Sequence, residues 1–149
     1  PVDESVLDVI PLQPDKLVLA VPNNLASGIH PVSGSDVDFS DCRDMPFVTV
    51  GPSQEMRQLF DKLCAAADFH PNIAAEVVGI TTAWAMAQAG VGATLLPLQF
   101  VQNQSFRENL TFFPVRGRYT LRQPAIITKR GQFLPDYAKF AIGLLIAED

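Results

Sequence analysis

Two short segments carry residue types from which a ligand site can be built. Val50-Gly51-Pro52-Ser53-Gln54 and Val78-Gly79-Ile80-Thr81-Thr82 each fall where an apolar, strand-like run gives way to a helical pattern. A helix start presents backbone N–H groups with no acceptor in the helix and the positive end of its dipole, a combination that favours an anion. In the first segment Ser53 offers a hydroxyl and Gln54 can donate or accept. In the second, Thr81 and Thr82 offer hydroxyls, and Gly79 permits close approach to the backbone. Each segment also has a purely structural reading, in which Ser53 caps the first helix and Thr81 or Thr82 caps the second. The residues alone leave both readings open and favour capping for Ser53.

Other residues with chemical potential lack partners in the sequence. His30 and His70 have no cysteine or carboxylate at metal-ligand spacing, and His70 precedes Pro71 in a turn, which suits a surface position. No nucleophile elbow, HExxH or P-loop occurs. Ala89-Gly90-Val91-Gly92-Ala93 follows a helix and precedes a strand, the reverse of the order a phosphate loop needs. Trp84 reads as a packing residue, with cleft lining as the alternative. Cys42 and Cys64 are too few for a disulfide scaffold, and Cys64 falls on the apolar face of a helical pattern. No metal site, cofactor or catalytic constellation is expected.

The elements that must hold the two segments are legible from periodicity. Lys16 to Val21 is a short apolar run closed by Pro22-Asn23-Asn24, a buried strand, with a weaker strand before it at Val6 to Leu12. Asn23 to Ser35 reads as loop, Val37 to Cys42 as a helical turn and Phe47 to Val50 as a strand. From Ser53 to Ala67, Met56, Leu59, Phe60, Leu63, Cys64 and Ala67 form one helical stripe. Ile73 to Val78 is a strand, and Ala83 to Ala89 a helix stopped by Gly90 in a left-handed conformation. Further strands are expected at Val91–Leu96, Leu110–Val115 and Ala125–Lys129, and a short helix at Phe100–Arg107. A last helix starts at Pro135, with a stripe of Tyr137, Phe140, Ala141, Leu144 and Leu145. Alternating strands and helices imply an α/β fold built on a mostly parallel sheet.

Composition bounds the function. The chain of 149 residues is 48% hydrophobic and 18% charged, enough apolar material for a core. Its 11 basic and 16 acidic residues give a net charge of −5, which argues against direct binding to nucleic acid. Arg116, Arg118, Arg122, Lys129 and Arg130 are separated by apolar residues and read as scattered solvated charge. No apolar run approaches membrane-spanning length, and no membrane partner is expected. The start at Pro1, without an initiator methionine, reads as a trimmed piece of a longer protein.

Several of these segments, in this order, resemble a known family. They are Phe47–Val50 with Gly51-Pro52-Ser53-Gln54 and Met56-Arg57, then Asp68-Phe69-His70-Pro71-Asn72-Ile73, then Ala87-Gln88-Ala89-Gly90-Val91-Gly92-Ala93-Thr94-Leu95-Leu96-Pro97, and finally Lys129-Arg130-Gly131 with the last helix. Together they resemble the effector-binding domain of LysR-type transcription regulators, with its GF-x-P-x-I and VAAGLGIALLP-like segments. The resemblance runs from about Val6 to Ile146. Asp68 stands where the family usually has Gly, Ala87-Gln88 replaces Val-Ala, and the loop from Asn24 to Ser35 departs from the usual His-Pro-Leu, although His30-Pro31 lies nearby.

The resemblance implies a type 2 periplasmic-binding-protein-like fold, one Rossmann-like lobe with remnants of a second. Residues 1–22 would belong to the first lobe and a crossover strand, 23–121 to the second lobe, and 122–149 to the return strand and last helix. It implies an effector cleft to which Val50, Gly51, Pro52, Ser53, Gln54, Val78, Gly79, Ile80, Thr81 and Thr82 contribute, and a hinge at Val21, Pro22, Leu121 and Arg122. A cytoplasmic regulator that forms homodimers or tetramers would follow, sensing a small, anionic metabolite. It would reach DNA only through a winged helix-turn-helix upstream of this chain. A solute-binding protein of a transport system shares the same cleft logic. So does an enzyme of the arogenate or prephenate dehydratase type, which the lack of an acid–base constellation disfavours.

Overall fold

A computed structural model of the chain describes residues 3–29, 36–105 and 107–147. His30-Pro31 lies outside them. In chain order the strands are β1 (Leu7–Pro11), β2 (Asp15–Pro22), β3 (Pro46–Val50), β4 (Asn72–Val77), β5 (Thr94–Pro97), β6 (Leu110–Pro114), β7 (Leu121–Arg122) and β8 (Ala125–Lys129). The helices are α1 (Asn23–Ala26), α2 (Glu55–Ala66), α3 (Ile80–Gln88), α4 (Leu98–Gln102) and α5 (Asp136–Ala147), with a 3-10 turn at Phe39–Cys42. The chain divides into a larger unit, Lys16–Leu121, and a smaller one made of Pro1–Asp15 and Arg122–Asp149.

In the larger unit β2 is the central strand, flanked by β5 and β6, both antiparallel to it. Its residues alternate between two cores. Leu17, Leu19 and Val21 pack with Phe39, Phe47, Phe60 and Leu63, while Val18 and Ala20 pack with Trp84, Ala87, Leu96 and Val101. Burial on both faces is why the strand reads as an unbroken apolar run. Strand β3 pairs in parallel with β4, and a bridge from Phe47 to Ala93 ties β3 to the entry of β5. The expectation of a mostly parallel sheet therefore needs one correction: the central strand opposes its neighbours.

Gly92 explains how closely β3 and the entry of β5 approach. A Cβ there would stand 2.6 Å from the Pro46 carbonyl oxygen, while the Ala93 N–H donates to that same oxygen over 2.8 Å. Gly90 has the left-handed φ of 84° expected of a helix stop. The Val91 N–H still donates to Met86, so the strand begins at Thr94, three residues later than its sequence pattern suggested. Asp68 takes φ 54° after α2, which accounts for Gly being usual there.

Two boundaries differ for a local reason. Helix α4 starts directly after Pro97 and ends at Gln102, where the Arg107 guanidinium donates to the Gln102 and Gln104 carbonyls. A short helix, α1, opens the segment read as loop. Val21 and Pro22, expected at a hinge, pair with Thr111 and Leu110 inside the larger unit's sheet; the chain changes unit at Asp15–Lys16 and again at Leu121–Arg122.

In the smaller unit β1 and β8 pair antiparallel over five residues each, from Leu7 against Lys129 to Pro11 against Ala125. An ion pair of 3.0 Å between Arg130 and Asp8 and a bond from the Gln123 amide to the Leu12 carbonyl extend the pairing. Helix α5 begins at Asp136, with Pro135 supplying the carbonyl that accepts from Ala138 and Lys139 rather than the first helical residue.

Candidate functional site

Because β3 and β4 are parallel neighbours, their carboxyl ends lie side by side, and each leads into a helix. Open α/β sheets bind ligands beyond such strand ends. The first turn is closed by the Gln54 N–H donating to the Gly51 carbonyl over 3.1 Å. Gln54 then caps α2 with extended backbone, and its carbonyl accepts from Arg57 and Gln58. In the second turn Gly79 caps α3, and its carbonyl accepts from Thr82 and Ala83.

These caps correct the sequence reading. Neither Ser53 nor Thr81 nor Thr82 caps its helix, and neither α2 nor α3 has a side-chain cap bond. Pro52, Ser53, Thr81 and Thr82 are instead exposed, and Gly51, Gln54, Gly79 and Ile80 are half-buried. Val50 is buried and contributes only its backbone, whereas the Val78 side chain is 91% exposed. The Gln54 side chain links the two turns: its Nε2 donates to the Val78 carbonyl over 2.6 Å. Its amide is therefore occupied in holding the site together.

Behind the turns lies a group the sequence reading missed. Arg57 Nη1 donates to the Val50 carbonyl at 3.3 Å and to Glu76 Oε2 at 2.7 Å, and its Nε donates to Asp61 Oδ1 at 2.9 Å. The side chain is only 15% exposed, and the hydrogen bond to Asp61, then that to Glu76, pushes its pKa further up. Arg57 thus joins α2, the end of β3 and β4 by one fixed cation. The Arg57–Asp61 spacing of four residues was visible in the sequence; the partner from β4 was not. Buried Thr49 and Thr94, with Val48, Met56, Phe60 and Ile80, line a small cavity beneath the turns.

Among the described residues no group of His, Cys, Asp and Glu is arranged to hold a metal ion. Both cysteines are unbridged and buried, and burial pushes each thiol up to about 12. Trp84 is a packing residue, stacked on Phe112 and edge-on to Phe100. No helix among the described residues is long and apolar enough to cross a membrane.

A two-unit α/β chain with paired parallel strand ends opening on helix starts has the layout in which open α/β sheets bind ligands. The family model of the LysR substrate binding domain matches residues 1–148, and the chain belongs to that family. A curated relative, an uncharacterized HTH-type transcriptional regulator of Bacillus subtilis (strain 168), is 28% identical over 111 residues, 65% of this chain and 34% of the relative. Among solved structures, the regulatory domain of Synechocystis PCC6803 CcmR in complex with 2-PG superposes with a TM-score of 0.79 at 17% identity, covering 99% of this chain and 70% of that one. The effector-binding domain of QuiR in complex with shikimate gives 0.75 at 17% identity, covering 98% and 66%. Full-length CbnR complexed with its target DNA gives 0.73 at 20% identity, covering 99% and 47%. The fold is therefore the type 2 periplasmic-binding-protein-like one, in an effector-binding domain, and the chain spans about a third of its curated relative.

Proposed function

We propose that the face formed by Gly51–Gln54 and Gly79–Thr82 contacts a small anionic effector, and that the full-length protein converts its binding into a change in DNA binding. The observation that carries this reading is the Gln54–Val78 bond, which holds two helix starts on the same side of one parallel strand pair. Exposed Ser53, Thr81 and Thr82 hydroxyls supply donors there, and the positive dipole ends of α2 and α3 favour an anion. Shikimate and 2-PG bound to neighbours of the same fold support a small-metabolite ligand. The role in this reading is regulatory rather than catalytic, which the match to the LysR substrate binding domain supports.

Leu121 and Arg122, with Asp15 and Lys16, are the proposed hinge positions. A cytoplasmic homo-oligomer reaching DNA through a winged helix-turn-helix outside this chain completes the reading. The test is promoter binding by the full-length protein across a panel of small carboxylates and phosphate esters that includes shikimate, with amide shifts mapped on this chain. A ligand that changes promoter affinity should shift Gly51–Gln54 and Gly79–Thr82, and Thr81→Val with Thr82→Val should weaken it about tenfold. Shifts confined to other residues would sink the assignment of this face.

A further inference from the structure

The larger unit has a second concavity, on the last turns of α2. A groove of about 240 Å³ is lined by Asp38, Phe39, Leu63, Ala66, Ala67, Arg116, Gly117 and Arg118. Its floor is fixed. Phe39 is 3% exposed and locked in a ring cluster with Phe47, Phe60 and Phe69 at centroid distances of 6.0, 5.9 and 5.8 Å. Leu63 is equally buried, and the short side chains of Ala66 and Ala67 leave room above it.

The opposite rim is a loop held in an unusual conformation. Gly117 has φ 113° and Tyr119 φ 66°, a conformation costly for a residue with a side chain. The loop is pinned at both ends: the Arg116 N–H donates to the Val37 carbonyl at 3.0 Å, and the Thr120 carbonyl accepts from Leu17 at 2.9 Å. The Thr120 hydroxyl closes it on the Gly117 carbonyl. This places Arg116 and Arg118 along one groove, with the Lys62 ammonium 5.7 Å from the Tyr119 ring centroid beside them. Asp38, which lines the same groove, accepts from the Ser40 N–H at 3.0 Å and from its hydroxyl at 2.7 Å, and its carboxylate also attracts Arg116. Two arginines and one carboxylate thus face an apolar floor, and Arg118 is the cation with no carboxylate against it among the described residues.

We infer that this groove is a second ligand site, which takes a small aromatic carboxylate with its ring on Phe39, Leu63, Ala66 and Ala67 and its carboxylate on Arg116 and Arg118. The orientation follows from the helix. The carbonyl end of α2 carries partial negative charge, so the anionic end must face the arginine loop and the ring must cover the alanines. Guanidinium groups suit a carboxylate through paired donors. The site is separate from the face at Gly51–Gln54, which lies at the other end of α2, roughly 13–20 Å along the axis at the ordinary helical rise.

The experiment is an amide-shift titration of this chain with phenylacetate, its neutral isostere phenylacetamide, and inorganic phosphate. Phenylacetate should give saturable shifts at Ala66, Ala67, Gly117, Arg118 and Tyr119 in the millimolar range. Phenylacetamide and phosphate should each bind about tenfold more weakly or less. Arg116→Gln with Arg118→Gln should cost phenylacetate about tenfold or more, and so should Ala66→Glu, which puts a carboxylate into the groove and serves if the double variant folds poorly. Equal binding of phenylacetamide, equal binding of phosphate, no saturable shift, or shifts centred on Gly51–Gln54 and Gly79–Thr82 would each overturn the assignment. Because the two sets of amides do not overlap, failure here leaves the effector face untouched.

Discussion

Helices α2 and α5 are both 12 residues long and both carry an apolar stripe, yet only one is covered. In α2, Met56, Phe60, Leu63 and Cys64 are all buried, each larger side chain contributing about 1.5–3 kcal/mol if fully transferred from water. In α5, Tyr137 is 78% exposed and Phe140 68%, with Leu144 and Leu145 about half exposed. Among the described residues the buried hydrophobic ones run from Leu17 to Val115, all within the larger unit. The lesson is that periodicity makes a helix amphipathic, while burial needs a facing surface, and the two units differ in whether they supply one.

The comparison can be pressed at five points. The greatest separation is expected in alkali, because both cysteines lie in the larger unit's core. Their thiols titrate near 12 when folded against an ordinary value of 9.0, so the folded state keeps protons that the unfolded state loses. Stability should therefore be complete below pH 9 and fall above it, by on the order of 1 kcal/mol per pH unit per thiol. Urea unfolding from pH 8 to 11 should show this slope, and Cys42→Ala with Cys64→Ala should flatten it.

Phe47→Ala, at a fully buried ring, should cost about 3–5 kcal/mol in the same assay. Gly92→Ala follows at about 1–3 kcal/mol, since its Cβ must displace the backbone at Pro46. Arg57→Met should lose about 1–2 kcal/mol, with most of its length still packed but three bonds gone. Phe140→Ser should change unfolding by less than about 0.5 kcal/mol. A cost at Phe140 comparable to that at Phe47 would erase the distinction between the units.

Most of the fold was legible where one rule dominated. β2 announced itself as an unbroken apolar run, α2 by its stripe, and Gly90 as a helix stop. The antiparallel sense of β2 was not legible, because strand direction depends on pairings that composition does not encode. At the candidate site the positions of the two turns were legible but the capping was not. Ser53 and the threonines have the right chemistry for caps, and backbone carbonyls at Gly51, Gln54 and Gly79 did the work instead. The Gln54–Val78 and Arg57–Glu76 bonds join residues about twenty positions apart, beyond any local pattern.

The central position of β2 also sets the order in which the molecule can assemble. Leu19 pairs with Leu95 on one side and Phe113 on the other, so the first strand of the larger unit has no sheet neighbours until the last ones are made. On a ribosome, this apolar segment would emerge early and wait while nearly the whole unit is synthesised. Such long-range closure slows folding and leaves a sticky strand exposed to other chains in the interval. Local pairs such as α2 with β3 and β4 can form meanwhile, which makes the strand that holds the finished unit together the last to find its place.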